Sequence, residues 1–171
     1  MTPVAEQLVP DVLGPGLDVV FCGTAPSAAS YAARAYYAKP GNRFWPTLHA
    51  VGFTPRLLAP GEFQSVTEYG LGLTDVCKTA SGQDADLAST DFDASGLRSN
   101  VERFSPNFLA FTSKRAAMEA LGRKVEYGLQ PERFGATQLF VLPSTSGLAT
   151  RFWDQSWWRE LACQRHARKT A

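Results

Sequence analysis

The chain has 171 residues, 44% of them hydrophobic and 19% charged, the balance of a folded domain large enough to bury a full core. No run of about 20 apolar residues occurs, and the acidic stretch 1–11 has no basic segment. These features argue against a membrane span or a signal peptide and predict a soluble, cytoplasmic protein. A formal net charge of +1 excludes nucleic-acid binding through bulk charge and leaves a local patch as the route to such a partner.

In chain order, an apolar run over 17–22 leads into the loop Gly23-Thr24-Ala25-Pro26-Ser27, and the Ala-rich stretch 27–38 predicts a helix. Asn42 is placed to cap a second helix reaching residue 51, with Pro46 in its first turn, where the missing N–H costs little. A helix over 61–69 precedes a second strand-like run, 71–77. The polar stretch 78–93 is the one long irregular segment and holds Asp84, Asp86, Asp91 and Asp93. Loops of this length inside a domain are more often functional or mobile than idle. A helix over 94–104, a strand over 107–112, a helix over 114–122 and a strand over 137–142 follow. The last helix, 153–169, repeats Trp153, Trp157, Trp158, Leu161 and Ala162 at helical spacing, which marks a buried face. It ends in Arg165-His166-Ala167-Arg168-Lys169, basic residues suited to a helix C-terminus. Cys22, Cys77 and Cys163 have neither disulfide nor zinc spacing and read as buried thiols.

Four strand-like runs alternating with helices predict an α/β fold, a three-layer α/β/α sandwich around a four-stranded, mostly parallel sheet. No internal repeat or domain boundary is visible, so residues 1–171 read as one domain, with 1–16 as an N-terminal extension that can be flexible. In such a sheet the loops after the strands gather at one edge. Loop 23–27 and the rear segment Ser144-Thr145-Ser146-Gly147-Leu148-Ala149 are therefore expected to meet across one crevice.

The ordered set Val19-Val20-Phe21-Cys22-Gly23-x-x-Pro26, Pro40-Gly41-Asn42-Arg43-Phe44-Trp45, Gly52-Phe53, Gly72-Leu73-Thr74 and Leu142-Pro143-x-x-Ser146-Gly147-Leu148 resembles the mismatch-specific uracil-DNA glycosylases, relatives of the thymine-DNA glycosylases. Each piece alone is common; their order and spacing make the combination specific. The resemblance implies a monofunctional enzyme of base excision repair. It would flip uracil, or a related damaged or mispaired pyrimidine, out of DNA and hydrolyse its glycosidic bond without cofactor or metal. It also implies a monomer that acts on duplex DNA bearing a G:U pair or on single strands, associated with the nucleoid in a bacterium.

Carried over residue by residue, Gly23, Thr24 and Ala25 would line the base pocket, with backbone N–H groups facing the departing base, and Tyr37 would stack on it. Gly147-Leu148-Ala149 would form the wedge filling the gap left by the extruded nucleotide, and Ser144, Ser146 and Arg151 would meet the DNA backbone. The sharpest departure is Ala25, which stands where the family usually carries the Asn that orients the attacking water. Ser144 and Thr145 likewise replace the family's Asn and Pro. Either the chemistry is lost, leaving a module that binds mismatched or abasic DNA, or another polar side chain positions the water. Asp93, just before the helix at 94, is the first candidate and also reads as an N-cap. Asp75, closing the second strand, is the fallback. Asn42-Arg43-Phe44-Trp45 reads as a cap, a surface contact and two core aromatics, and Ser113-Lys114 as a helix start that can also hold a phosphate. An unrelated hydrolase or nucleotide-binding domain is disfavoured, since neither a Gly-x-Ser-x-Gly elbow nor a Gly-rich loop ending in Lys is present.

Overall fold

The run Val19-Val20-Phe21-Cys22-Gly23 contains no polar side chain, and every residue of it is buried. A strand of this kind is stable only with both faces and both edges covered. The computed structural model, which describes residues 8–78, 81–82, 87–88 and 91–170, shows how this is achieved. Strand β1 (Val19–Gly23) lies between β2 (Leu71–Asp75) and β3 (Phe108–Phe111), parallel to both. The sheet continues through β5 (Thr137–Val141) to β4 (Gly128–Phe134) in the order β2-β1-β3-β5-β4, with β4 antiparallel.

Successive side chains of each strand feed opposite cores. Val19 and Phe21 join Leu71, Leu73, Phe108 and Phe140 under helices α2 (Phe44–Ala50) and α5 (Gln155–Thr170), where Phe44, Leu48, Trp158 and Leu161 are packed. Val20 and Cys22 join Leu109, Phe111, Leu139 and Val141 under α3 (Ala94–Phe104) and α4 (Lys114–Leu121), through Leu97, Val101, Ala116 and Ala117. The result is the expected three-layer α/β/α sandwich.

The sheet has five strands rather than four. Strand β4 alternates buried and exposed positions, carries Glu132 and Arg133, and includes Pro131. Its pattern is that of an edge strand, where a missing N–H and outward charge are tolerated. It returns through Gly135, whose φ of 60° suits the tight turn into β5. Helix α1 spans only Ala28–Ala33, against the predicted 27–38. Arg34 takes a left-handed conformation (φ 51°) that ends the helix, and Tyr37 takes another (φ 53°). The segment at 61–69 is a 3-10 helix, Pro60–Tyr69. Of the three cysteines, Cys22 and Cys77 are buried as expected, but Cys163 is exposed, because it falls on the outer face of α5.

The N-terminal stretch is held from residue 8 onward. Val12 pairs with Leu73 through two backbone hydrogen bonds of 2.8 and 2.9 Å, Val9 is buried, and Asp11 meets Lys78 at 2.9 Å. No helix among the described residues is long and apolar enough to cross a membrane.

Arg165 of α5 ties the C-terminal helix to the sheet and the 3-10 helix. It binds Asp18 through Nε at 3.1 Å, donates to the carbonyl of Phe53 at 3.4 Å, and donates to the carbonyl of Tyr69. Its replacement leaves those carbonyls without a donor, although Lys169 stays on Asp18 at 3.2 Å. Arg165→Ala is expected to lower stability by about 2 kcal/mol in urea denaturation; a change within about 0.5 kcal/mol would show the contacts to be incidental.

Candidate active site

Four parallel strands end at one edge, and each delivers residues to a cavity of about 360 Å³ there. The loop after β1 contributes Gly23, Thr24, Ala25, Pro26 and Ser27; the end of β2 contributes Asp75; the residues after β3 contribute Thr112 and Ser113; and the segment after β5 contributes Ser144, Thr145, Ser146, Leu148 and Ala149. Because β2 and β3 flank β1 on opposite sides, the chain reverses direction of winding here, the position at which open α/β sheets bind ligands. The front and rear loops thus meet across one crevice.

Backbone bonds hold both loops. The carbonyls of Gly23 and Thr24 accept from the N–H groups of Val76 and Cys77 at 2.9 and 2.7 Å, and the carbonyl of Pro26 accepts from Gly82 at 3.1 Å. Ser27 caps α1 by accepting from the Ser30 N–H at 3.1 Å. The rear loop is pinned by Arg43: its N–H donates to the Thr145 carbonyl at 2.9 Å, its Nη1 donates to the Ser146 carbonyl at 3.2 Å, and its guanidinium lies over Trp153. Within the loop, Ser144 Oγ accepts from the Ser146 N–H and Ser146 Oγ from the Leu148 N–H, each at 3.2 Å. Arg43, read from sequence as a surface contact, is therefore the clamp of the rear loop. Its neighbours behave as expected: Asn42 Oδ1 accepts from the Phe44 N–H at 2.9 Å, and Phe44 and Trp45 are buried.

Leu148 stands at the cavity rim with 66% of its surface exposed, and Phe152, exposed to 63%, follows on the short 3-10 helix Thr150–Phe152 under the Arg151 guanidinium. Arg151 is exposed and does not line the cavity. Tyr37 lines it; its ring stacks on Phe44 with centroids 3.8 Å apart, and its hydroxyl meets Thr112 Oγ1 at 3.0 Å. Burial raises the Tyr37 phenol well above its ordinary range, so it remains protonated. Ser113 caps α4 through the Ala116 N–H at 3.1 Å, while Lys114 is drawn to Glu126 at 3.6 Å and to the Tyr127 ring.

The floor is formed by Asp75. It is 4% exposed and lies opposite Gly23 in the parallel register. A Cβ at Gly23 would lie 2.7 Å from Asp75 Oδ1, 3.3 Å from Tyr37 Oη and 3.5 Å from Thr112 Oγ1, so glycine leaves the room that these three oxygens occupy. Asp75 Oδ2 is enclosed without a hydrogen-bond partner, as is Tyr36 Oη, and among the described residues these are the two such side-chain atoms. Both belong to residues lining the cavity. Burial pushes the Asp75 carboxyl up from 3.8 to about 7; Lys78 opposes the shift and Asp11 adds to it. Lys78 Nζ is bound to Asp11 Oδ1 at 2.9 Å, to Thr74 Oγ1 at 2.6 Å and to the Asp75 carbonyl at 2.8 Å.

Asp93 is not among the lining residues. It is exposed and caps α3, Oδ1 accepting from the Gly96 N–H at 2.9 Å and from Ser95 Oγ at 3.4 Å. Its own N–H donates to the Val76 carbonyl at 3.1 Å, which anchors it beside the end of β2, and Oδ2 takes part in no hydrogen bond among the described residues. Asp84 and Asp86 lie outside the described residues. Thr112 was not singled out from sequence; its signal is its place directly after a buried strand beside the switch point. No group of His, Cys, Asp and Glu among the described residues is set to hold a metal ion.

The sequence matches the family described as the Uracil DNA glycosylase superfamily over residues 10–165. The chain belongs to that superfamily. A solution structure from Methanosarcina acetivorans, described as a "putative Uracil DNA glycosylase", has the same fold. It superposes with a TM-score of 0.62 at 23% identity, covering 92% of this chain and 96% of that one.

The raised Asp75 carboxyl couples stability to pH. The folded chain holds this proton up to about pH 7, whereas the unfolded chain releases it near 3.8, so Asp75 costs stability increasingly as pH rises between these values. Asp75→Asn is expected to gain in Tm over the wild type by a margin that widens from pH 4 to pH 7 and then levels off; a margin independent of pH would show the carboxyl to be unperturbed.

Proposed function

We propose that the protein is a monofunctional DNA glycosylase that flips uracil, or a related mispaired or damaged pyrimidine, out of DNA and hydrolyses its glycosidic bond, as the mismatch-specific branch of the superfamily does. The observation carrying this reading is the joining of two loops around one cavity with Tyr37 in its wall and the bare Leu148 side chain at its rim. A cavity of about 360 Å³ has the volume for a pyrimidine ring, on which Tyr37 would stack, and Leu148 would fill the hole that extrusion leaves in the duplex. Arg151 and the rear-loop serines Ser144 and Ser146 would meet the sugar–phosphate backbone, a sparse cationic contact that gives modest, salt-sensitive binding.

Hydrolysis needs a group to activate water against C1′ and donors for the charge on the departing base. Ala25 lines the cavity but cannot hold water through its side chain. Asp93 is assigned the water from outside the cavity lining: it is anchored at the end of β2, exposed, and its Oδ2 takes part in no hydrogen bond among the described residues. Asp75 stays the fallback, since it is buried at the cavity floor and Oδ2 is sealed. The donors are backbone N–H groups of the loop 23–27.

Incubation with duplex DNA holding a G:U pair, or with single-stranded uracil DNA, followed by alkali, should produce strand breaks. Tight gel-shift binding without breaks would instead support a module that binds DNA after losing its chemistry to Ala25. Asp93→Ala should reduce turnover by at least about 100-fold. Near-normal turnover in that variant, with collapse in Asp75→Asn, would transfer water activation to Asp75. Leu148→Ala should weaken activity on duplex far more than on single strands, and equal losses on both would sink the wedge.

A further inference from the structure

Asp75 places a carboxyl group at the floor of the cavity that would receive a flipped base. Ionised, it would repel a base leaving as an anion and raise the barrier; protonated, it would offer a hydrogen bond to it. We propose that Asp75 serves as a neutral carboxylic acid whose O–H donates to O4 of the flipped base and, as the glycosidic bond breaks, to the same oxygen as it gains charge. The second half rests on the glycosylase reading above; the first needs only that a base enters the cavity. The proton stays on Asp75 throughout: the electron pair of the broken bond leaves with the base, and the water proton goes to Asp93.

Geometry supports the assignment. Oδ2 is enclosed, so Oδ1 is the oxygen that the cavity can reach, and it shares the space above Gly23 with Tyr37 Oη and Thr112 Oγ1. Those two hydroxyls bond one another at 3.0 Å, while neither carboxyl oxygen of Asp75 accepts a bond from a described residue, so the capacity left unspent at this point belongs to the Asp75 carboxyl. Burial favours the neutral form over the opposing pull of Lys78. Cys22 of β1 and Tyr36 and Tyr37 behind α1 are kept protonated by burial, Lys78 is bound to Asp11, and the Asp11 charge itself disfavours a second carboxylate. Among catalytic carboxyls, one kept protonated by an apolar site to donate to a developing oxyanion has precedent in general enzymology.

A donor in this position also selects. It pairs with O4 of uracil, whereas cytosine presents its N4 amino group there and sets donor against donor. Asp75 would thus separate a deaminated pyrimidine from its parent.

The test uses the full chain and DNA with 2′-fluoroarabino uracil or cytosine, whose glycosidic bonds resist cleavage, each opposite an abasic-site analogue so that neither base is paired. Fluorescence anisotropy between pH 6 and pH 8.5 gives the two dissociation constants. At pH 6 the wild type should prefer uracil at least tenfold, and the preference should fall towards unity by pH 8.5. Asp75→Asn, near-isosteric and always neutral, should keep a preference that no longer depends on pH, and Asp75→Ala should have none. A wild-type preference constant across this range and intact in Asp75→Ala would overturn the proposal. Intact preference with no strand breaks on cleavable DNA would remove the hydrolysis reading and leave this one standing; normal breaks with no preference would do the reverse.

Discussion

The parallel register that sets Gly23 against Asp75 governs the cavity. Pairing β1 with β2 in this alignment brings a carboxyl group onto a position with no side chain of its own, and pairing β1 with β3 sets Cys22 against Phe111 so that Thr112 follows at the same level. A slip of one residue would turn every side chain of β1 to the other core. With Phe21 against Phe44, Phe53 and Trp158 on one face, and Val20 and Cys22 buried on the other, that slip would misplace the whole apolar pattern. The packing of the two cores therefore fixes the chemistry of the floor without any dedicated contact.

The walls obey a different rule. Both loops are held through backbone carbonyls: Gly23, Thr24 and Pro26 in front, Thr145 and Ser146 behind. The hydroxyls of Ser27, Ser144 and Ser146 add local bonds within the loops, whereas the Ala25 methyl adds none and can differ from the family pattern while the geometry survives. Arg43 braces the rear loop from outside. One residue supplies both donors to the rear loop and stacks on Trp153, so the rim bearing Leu148 is braced by the same helix that fills the core with Phe44 and Trp45.

What could be read from the sequence follows from these differences. The four parallel strands are apolar runs because both of their faces are covered, and such runs stand out in any chain. Strand β4 does not, because at an edge it mixes Leu129 and Phe134 with Pro131, Glu132 and Arg133. Helices α3 and α4 were legible from the caps Asp93 and Ser113, whereas α1 ends where Arg34 turns left-handed, which no local pattern announces. The lining residues of both loops were legible as motifs. The separate situations of the two aspartates were not: strand ends and helix starts look alike in sequence, but the neighbour across the sheet decides which carboxyl is sealed and which is open.

The segment from residue 8 to residue 12, bonded along β2, shapes the electrostatics of a site it scarcely touches. Its Asp11 binds the ammonium of Lys78, the cation that opposes the raised Asp75 carboxyl, and adds a negative charge of its own. Stripping this strap away would free Lys78 and withdraw that charge, and both changes act in the same direction, towards an ionised Asp75. The N-terminal residues thus work as a charge guard for the cavity floor: trimming them would alter the protonation of a group on the far side of the strand rather than merely shorten the chain.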